Sequence, residues 1–113
     1  MSEKPLTFTE FWAIYLAAHK DKRTRAIHYV GTVTACLMVL CFLASGDYWV
    51  LLAAPVVGYA PAWFGHAVFE RNRPATFSHP WWSLRGDFRM LYCAATGRLG
   101  SELTRAGIAF VER

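Results

Sequence analysis

A chain of 113 residues that is 55% hydrophobic, with 12 Lys and Arg against 8 Asp and Glu, is one domain by length and too apolar for most soluble domains of its size. The net charge of +4 does not signal nucleic acid, because no basic module interleaved with aromatic residues accompanies it; beside apolar runs its natural partner is anionic headgroups. Cys36, Cys41 and Cys93 lack C-x-x-C spacing, which leaves disulfide and zinc frameworks without support.

Thr7 and Glu10 carry a capping-box pattern, and Phe8, Phe11, Trp12, Tyr15 and Leu16 then recur at helical spacing on one face. Residues 7–19 therefore read as an interfacial amphipathic helix. The first long apolar run begins too late for a cleavable signal peptide. That run, residues 26–45, holds no Asp, Glu, Lys or Arg over 20 residues, which at 1.5 Å per residue matches a hydrocarbon core of about 30 Å. Residues 48–69 are equally uncharged and form a second span, joined to the first by a turn at Gly46 and Asp47. Helices apolar all round need either lipid or a burying partner, and no long amphipathic partner is present.

Residues 71–79 read as a loop containing Pro74, with Ser78 capping a helix that has Pro80 in its first turn. Over 80–96, Trp81, Leu84, Phe88, Leu91, Tyr92 and Ala95 form an apolar stripe opposite Arg85 and Arg89, with Gly97 as the stop: a second interfacial helix. The tail from Ser101 to Val111 is weakly helical. The fold expected is an all-α membrane protein, one domain over 1–113, with a two-span transmembrane hairpin and flanking interfacial helices. All 12 Lys and Arg lie outside residues 26–70, so both termini are expected in the cytoplasm, with a bacterial inner membrane the natural setting. Two spans make a thin scaffold, which leaves room for a homo-oligomer.

With the turn centred on Asp47, His28 and His66 lie at equal depth. His28, Gly31 and Ala35 share one helical face and Gly58, Ala62 and His66 another, and small residues mark close helix contact in membranes. All four histidines, His19, His28, His66 and His79, fall on the cytoplasmic side. Glu70 follows His66 by one turn, and Asp87 sits on the second interfacial helix. Imidazoles and a carboxylate at one depth suit a divalent transition metal, whether iron, zinc, copper or nickel. Two other readings stay open: a bis-histidine haem electron-transfer module on His28 and His66, and a metal-free lipid-binding scaffold. No nucleophile elbow and no phosphate-cradling glycine loop is present.

The stretches HKDKRTRAIHYVGT (His19–Thr32), FGHAVFERNRPATF and WSLRGDFRM resemble the small membrane family of iron-dependent 2-hydroxy fatty acid dioxygenases, which act in α-oxidation and in phytosphingosine breakdown. The resemblance runs from about Phe11 to Gly97, and its most specific piece is Gly65–Glu70 followed by Arg73-Pro74-Ala75. It implies Fe(II) held by His19, His28 and His66, with Glu70 matching the family glutamate and His79 outside the ligand set. It also implies a 2-hydroxy long-chain fatty acid and O₂ as substrates and, for a eukaryotic source, the endoplasmic reticulum. On that implication Arg71, Arg73 or Arg85 is a candidate for the substrate carboxylate or a headgroup anchor, Glu70 a ligand or an orienting group, and Asp87 a catalytic group or an ion-pair partner of Arg85 or a neighbouring Arg. The chain departs from relatives at Lys20-Asp21-Lys22-Arg23, where Asn and Pro are frequent, and in lacking the extra spans of longer members. Both departures bear on substrate rather than metal.

Overall fold

The computed structural model describes residues 7–74 and 77–107; Lys4, Ala75, Arg113 and the end of the expected weakly helical tail lie outside them. Every element of the described residues is helical: α1 (Phe8–Ala17), α2 (Lys22–Ser45), α3 (Tyr48–Gly65) continuing into a π-helical turn (His66–Glu70), α4 (Pro80–Ala95) and α5 (Leu99–Arg105).

The caps explain the boundaries. Thr7 and Glu10 complete the capping box of α1 in both directions. α2 begins four residues before the uncharged run, because the Asp21 carboxylate accepts from the Arg23 backbone N–H at 2.8 Å and starts the helix there. The Arg23 guanidinium against that carboxylate, together with the hydrogen bond from the Arg23 backbone, holds the Asp21 carboxyl at about 2. Gly46 ends α2 with φ +72°, a left-handed conformation that Gly adopts freely, and Asp47 caps α3 through the Trp49 N–H at 3.0 Å. The cap of α4 corrects the sequence reading: it is His79, with Pro80 at the first helical position, and not Ser78.

α2 and α3 form the hairpin, and both helices are long and apolar enough to cross a membrane. Their outer faces are bare, with Val30, Leu37, Leu40, Leu43, Trp49, Leu52 and Val56 exposed, whereas the core helix of a soluble protein would be covered. The inner seam is the small-residue face. A Cβ on Gly31 would stand 2.7 Å from the Gly58 carbonyl oxygen, and one on Gly58 would stand 3.4 Å from the Ala35 Cβ; Ala62 is buried on the same seam. Gly31→Ala gains about 1 kcal/mol of helix propensity but must push backbone off backbone, an overpacking cost of about 1–3 kcal/mol, so net destabilisation is expected. Thermal unfolding in detergent reads it, and an unchanged midpoint contradicts the seam.

The flanking helices depart from expectation in an instructive way. The apolar face of α1 does not face outward: Phe8, Phe11, Trp12, Tyr15 and Leu16 are buried with Met90, Cys93 and Leu103, so α1, α4 and α5 share one small core. Gly86 permits the approach, since a Cβ there would meet the Tyr15 ring at 3.0 Å. α4 turns its small and polar face inward through Ser83, Gly86, Asp87 and Met90, leaving the stripe of Trp81, Leu84, Phe88 and Tyr92 exposed. α4 joins this core to the hairpin, with Asp87 facing His28 of α2.

Candidate metal centre

His19 follows the end of α1, His28 lies one and a half turns into α2, and His66 opens the π-helical turn; all three are buried. Their Nε2 atoms converge: His19 to His28 3.1 Å, His19 to His66 3.1 Å, His28 to His66 3.3 Å.

Each ring shows the group behind it an Nδ1. His19 Nδ1–H donates to the Tyr15 carbonyl at 2.6 Å, an oxygen that can only accept. His66 Nδ1–H donates to Asn72 Oδ1 at 2.8 Å; the Asn72 amide nitrogen donates to the Ala18 carbonyl, which fixes the amide orientation. His28 Nδ1 faces Asp87 Oδ1 at 3.4 Å. With the protons on Nδ1, three Nε2 lone pairs point at one another and none has a donor. Such a cluster is repulsive by itself and is relieved by a cation. A triangle of these sides has its centre about 1.8 Å from each corner, within a metal–imidazole bond length of about 2.1 Å, so His19, His28 and His66 could hold a single ion together. Backing of the distal nitrogen by carbonyl, amide and carboxylate is what metal-bound histidines require. The three residues fit a metal.

Electrostatics favour the same state. Burial, reinforced by His28 and His66, pushes the His19 pKa well down, so the ring is neutral at pH 7 with its lone pair available. Burial and the neighbouring Asp87 push the Tyr15 hydroxyl well up, so it keeps its proton and donates it to Asp87 Oδ1.

The π-helical turn positions His66. The backbone N–H of Arg71, itself left-handed at φ +56°, closes on the His66 carbonyl, and the Asn72 N–H reaches the same oxygen at 3.0 Å. Asn72 thus holds His66 by backbone and ring together. π-helical turns are rare and frequent at functional sites.

The remaining candidates sit elsewhere. Glu70 Oε2 accepts from the Asp21 backbone N–H at 2.7 Å, tying the end of the π turn to the start of α2. Asp87 is not paired with Arg85: it takes the Tyr15 hydroxyl and faces His28, while the Arg85 guanidinium lies 4.0 Å over the Phe8 ring. Arg73 lies over Phe77, and Arg71 is exposed. His79 stacks on Trp82 and packs against Phe11, outside the cluster. Three contributors escaped the sequence reading. Tyr15 counts by spacing among the apolar face of α1, although it stands one turn before His19. Arg25, buried, donates to the His19 and Lys20 carbonyls at 2.8 and 2.9 Å, and its place on the His28 side of α2 was the available signal. Asn72 had no signal, being placed by the π turn.

Two axial imidazoles on one haem stand about 4 Å apart on opposite sides of the iron. At 3.3 Å, and with His19 3.1 Å from each, His28 and His66 do not form that arrangement.

From His28 and Asp87 a groove of about 490 Å³ runs along the hairpin between α2 and α3, with the N-terminal half of α4 as one wall. Among the described residues that line it, these two supply the only charged or imidazole side chains.

A family described as 2-hydroxy-palmitic acid dioxygenase Mpo1-like matches residues 6–99, which take in α1 to α4 and all three clustered histidines. The chain belongs to this family. Neither curated proteins nor solved structures gave a match. The Mpo1-like match covers the histidine cluster and the residues behind its rings, Tyr15, Asn72 and Asp87, so the dioxygenase description and the metal-competent geometry fall on the same segment.

Proposed function

We propose that this protein is an Fe(II)-dependent dioxygenase that removes C1 from 2-hydroxy long-chain fatty acids at the cytoplasmic face of a membrane. The observation that carries the reading is the set of three buried Nε2 atoms within 3.3 Å of one another, each ring backed at Nδ1 by an oxygen. Iron bound by His19, His28 and His66 supplies coordination positions for the hydroxy acid and O₂ and the redox capacity to break the C1–C2 bond. Overall, C2 becomes the carboxyl of an acid one carbon shorter, C1 leaves as carbon dioxide, and O₂ takes up four electrons with formation of one water. The chain's own part is to hold three imidazoles in the metal-binding tautomer through Tyr15, Asn72 and Asp87, and to exclude bulk water by burying them. The location follows from solubility: a long-chain acid keeps its tail in hydrocarbon and its carboxylate at the interface, the depth this reading gives to His28 and His66. Arg71, Arg73 and Arg85, on the surface or over aromatic rings, act as headgroup anchors, with both termini cytoplasmic and the α4 stripe in the interface.

The test is anaerobic iron loading of detergent-purified protein, then addition of a 2-hydroxy long-chain acid and O₂. Product one carbon shorter, matched by O₂ consumption and absent without iron, is expected; folded protein that takes up no iron, or product independent of iron, overturns the reading. A metal-free lipid scaffold has no use for three converging lone pairs and is the weaker alternative.

Glu70, in this reading, holds α2 to the π turn. Glu70→Ala should remove one charge-assisted hydrogen bond, costing about 1–3 kcal/mol in thermal unfolding, with iron per chain unchanged. Loss of iron at equal folded yield would place Glu70 at the metal instead.

A further inference from the structure

The groove that starts at His28 and Asp87 has an amphipathic design. At one end stand an imidazole of the metal cluster and a carboxylate; beyond them the walls are almost wholly apolar, ending near Val39 and Leu51. Its floor is built from small residues, Ala35, Ala54 and Gly58, whose missing side chains create the space. Ala54 is itself buried, so the floor is closed beneath it. We infer that this groove is the acyl-chain channel of the enzyme, and that Ala54, Val39 and Leu51 set the length of tail it accepts. The inference rests on the dioxygenase reading for the chemistry of the head group, and on continuity with the histidine cluster for the choice of occupant. A ligand lying there places a polar end against His28 and an unbranched apolar tail along the hairpin.

The length can be read from the helix. From His28 to Val39 α2 advances 11 residues, about 16 Å at 1.5 Å each. A zigzag chain of C–C bonds near 1.5 Å advances about 1.25 Å per carbon, so the groove accommodates about 13 carbons beyond the head group. The volume of 490 Å³ is in the range of about 300–1,000 Å³ usual for ligand pockets. Because lipid tails are as apolar as the groove, burial from water does not select the occupant; steric fit does. A side chain filling the floor must therefore shorten the accepted tail.

Photolabelling tests this without requiring turnover. Saturated 2-hydroxy acids of graded length, each with a diazirine at the tail end, are presented to the protein in lipid nanodiscs under anaerobic conditions, beside a phosphatidylcholine carrying the same group on its acyl tail. The longer acids should label Val39 and Leu51, with the phosphatidylcholine probe labelling only the outer faces of the hairpin. Ala54→Phe should reduce the distal label by about tenfold or more and should move the preference toward shorter acids. Leu51→Trp, at the far end of the groove and less demanding to fold, should affect only the longest acids. Iron per chain should be unchanged in both variants. Equal labelling of the groove by phosphatidylcholine, distal label on the outer residues Val30 or Leu43, or a length profile untouched by both variants overturns the channel. Failure of the dioxygenase reading looks different: the acids label the groove, but the protein binds no iron.

Discussion

His28→Ala and His66→Ala should each abolish bound iron and turnover together, while His79→Ala leaves iron per chain near that of the parent. The geometry sets the contrast. Each of the clustered rings supplies one corner of a triangle with sides of 3.1–3.3 Å, and loss of a corner removes a metal bond and frees the two other rings from a shared constraint. His79 instead packs on Trp82 and Phe11, so its loss costs aromatic contact without touching a ligand. His19→Ala belongs with the first pair. Metal analysis at equal folded yield across these variants decides the matter: full occupancy in His28→Ala or His66→Ala, or its loss in His79→Ala alone, refutes the assignment.

Asp87→Asn should lower metal affinity by about 10- to 100-fold with little change in fold, since the substitution is nearly isosteric. The carboxylate accepts from Tyr15 and faces His28 Nδ1, a position where only an acceptor keeps the His28 proton on Nδ1. Tyr15 and His28 meet the same oxygen, Oδ1, so an amide that keeps its oxygen there still accepts from both, and what is lost is the negative charge behind the His28 ring. Tyr15→Phe, which removes one donor from that oxygen and leaves the charge in place, should cost less metal affinity than Asp87→Asn. Titration against a competing chelator measures both, and unchanged affinity in Asp87→Asn assigns the residue a purely packing role.

The hairpin was legible because its signals are local: charge-free length gives the two spans, Gly46 the turn, and the Gly31, Gly58 and Ala62 spacing the seam. The juxtaposition of His28 and His66 followed by counting outward from Asp47. The burial of α1 was not legible, since an apolar helical face looks the same whether it meets lipid or another helix; Gly86 decides it by admitting the Tyr15 ring. The hydrogen bond that Glu70 makes was illegible for a similar reason. One turn of spacing puts Glu70 on the face of His66, but a free backbone N–H at Asp21 competes for the carboxylate, and only tertiary structure brings that donor within reach. Asn72 lay beyond sequence reasoning because the chain returns to His66 through a π turn that periodicity does not announce.

The three imidazoles come from segments 9 and 38 residues apart along the chain, so an ion bound there would make the site a clasp as well. An ion held there pins the end of α1 to both arms of the hairpin, closing loops whose ends the unfolded chain would let drift. Because the unfolded chain lacks the preassembled triangle, occupancy weights the folded state by mass action, about 2.7 kcal/mol at a free metal concentration 100 times the dissociation constant. On the proposed function, a cell short of the metal would lose more than turnover: the α1 cover would loosen over the histidine cluster, quality-control proteases would find an opening, and the amount of protein would come to follow the supply of the ion.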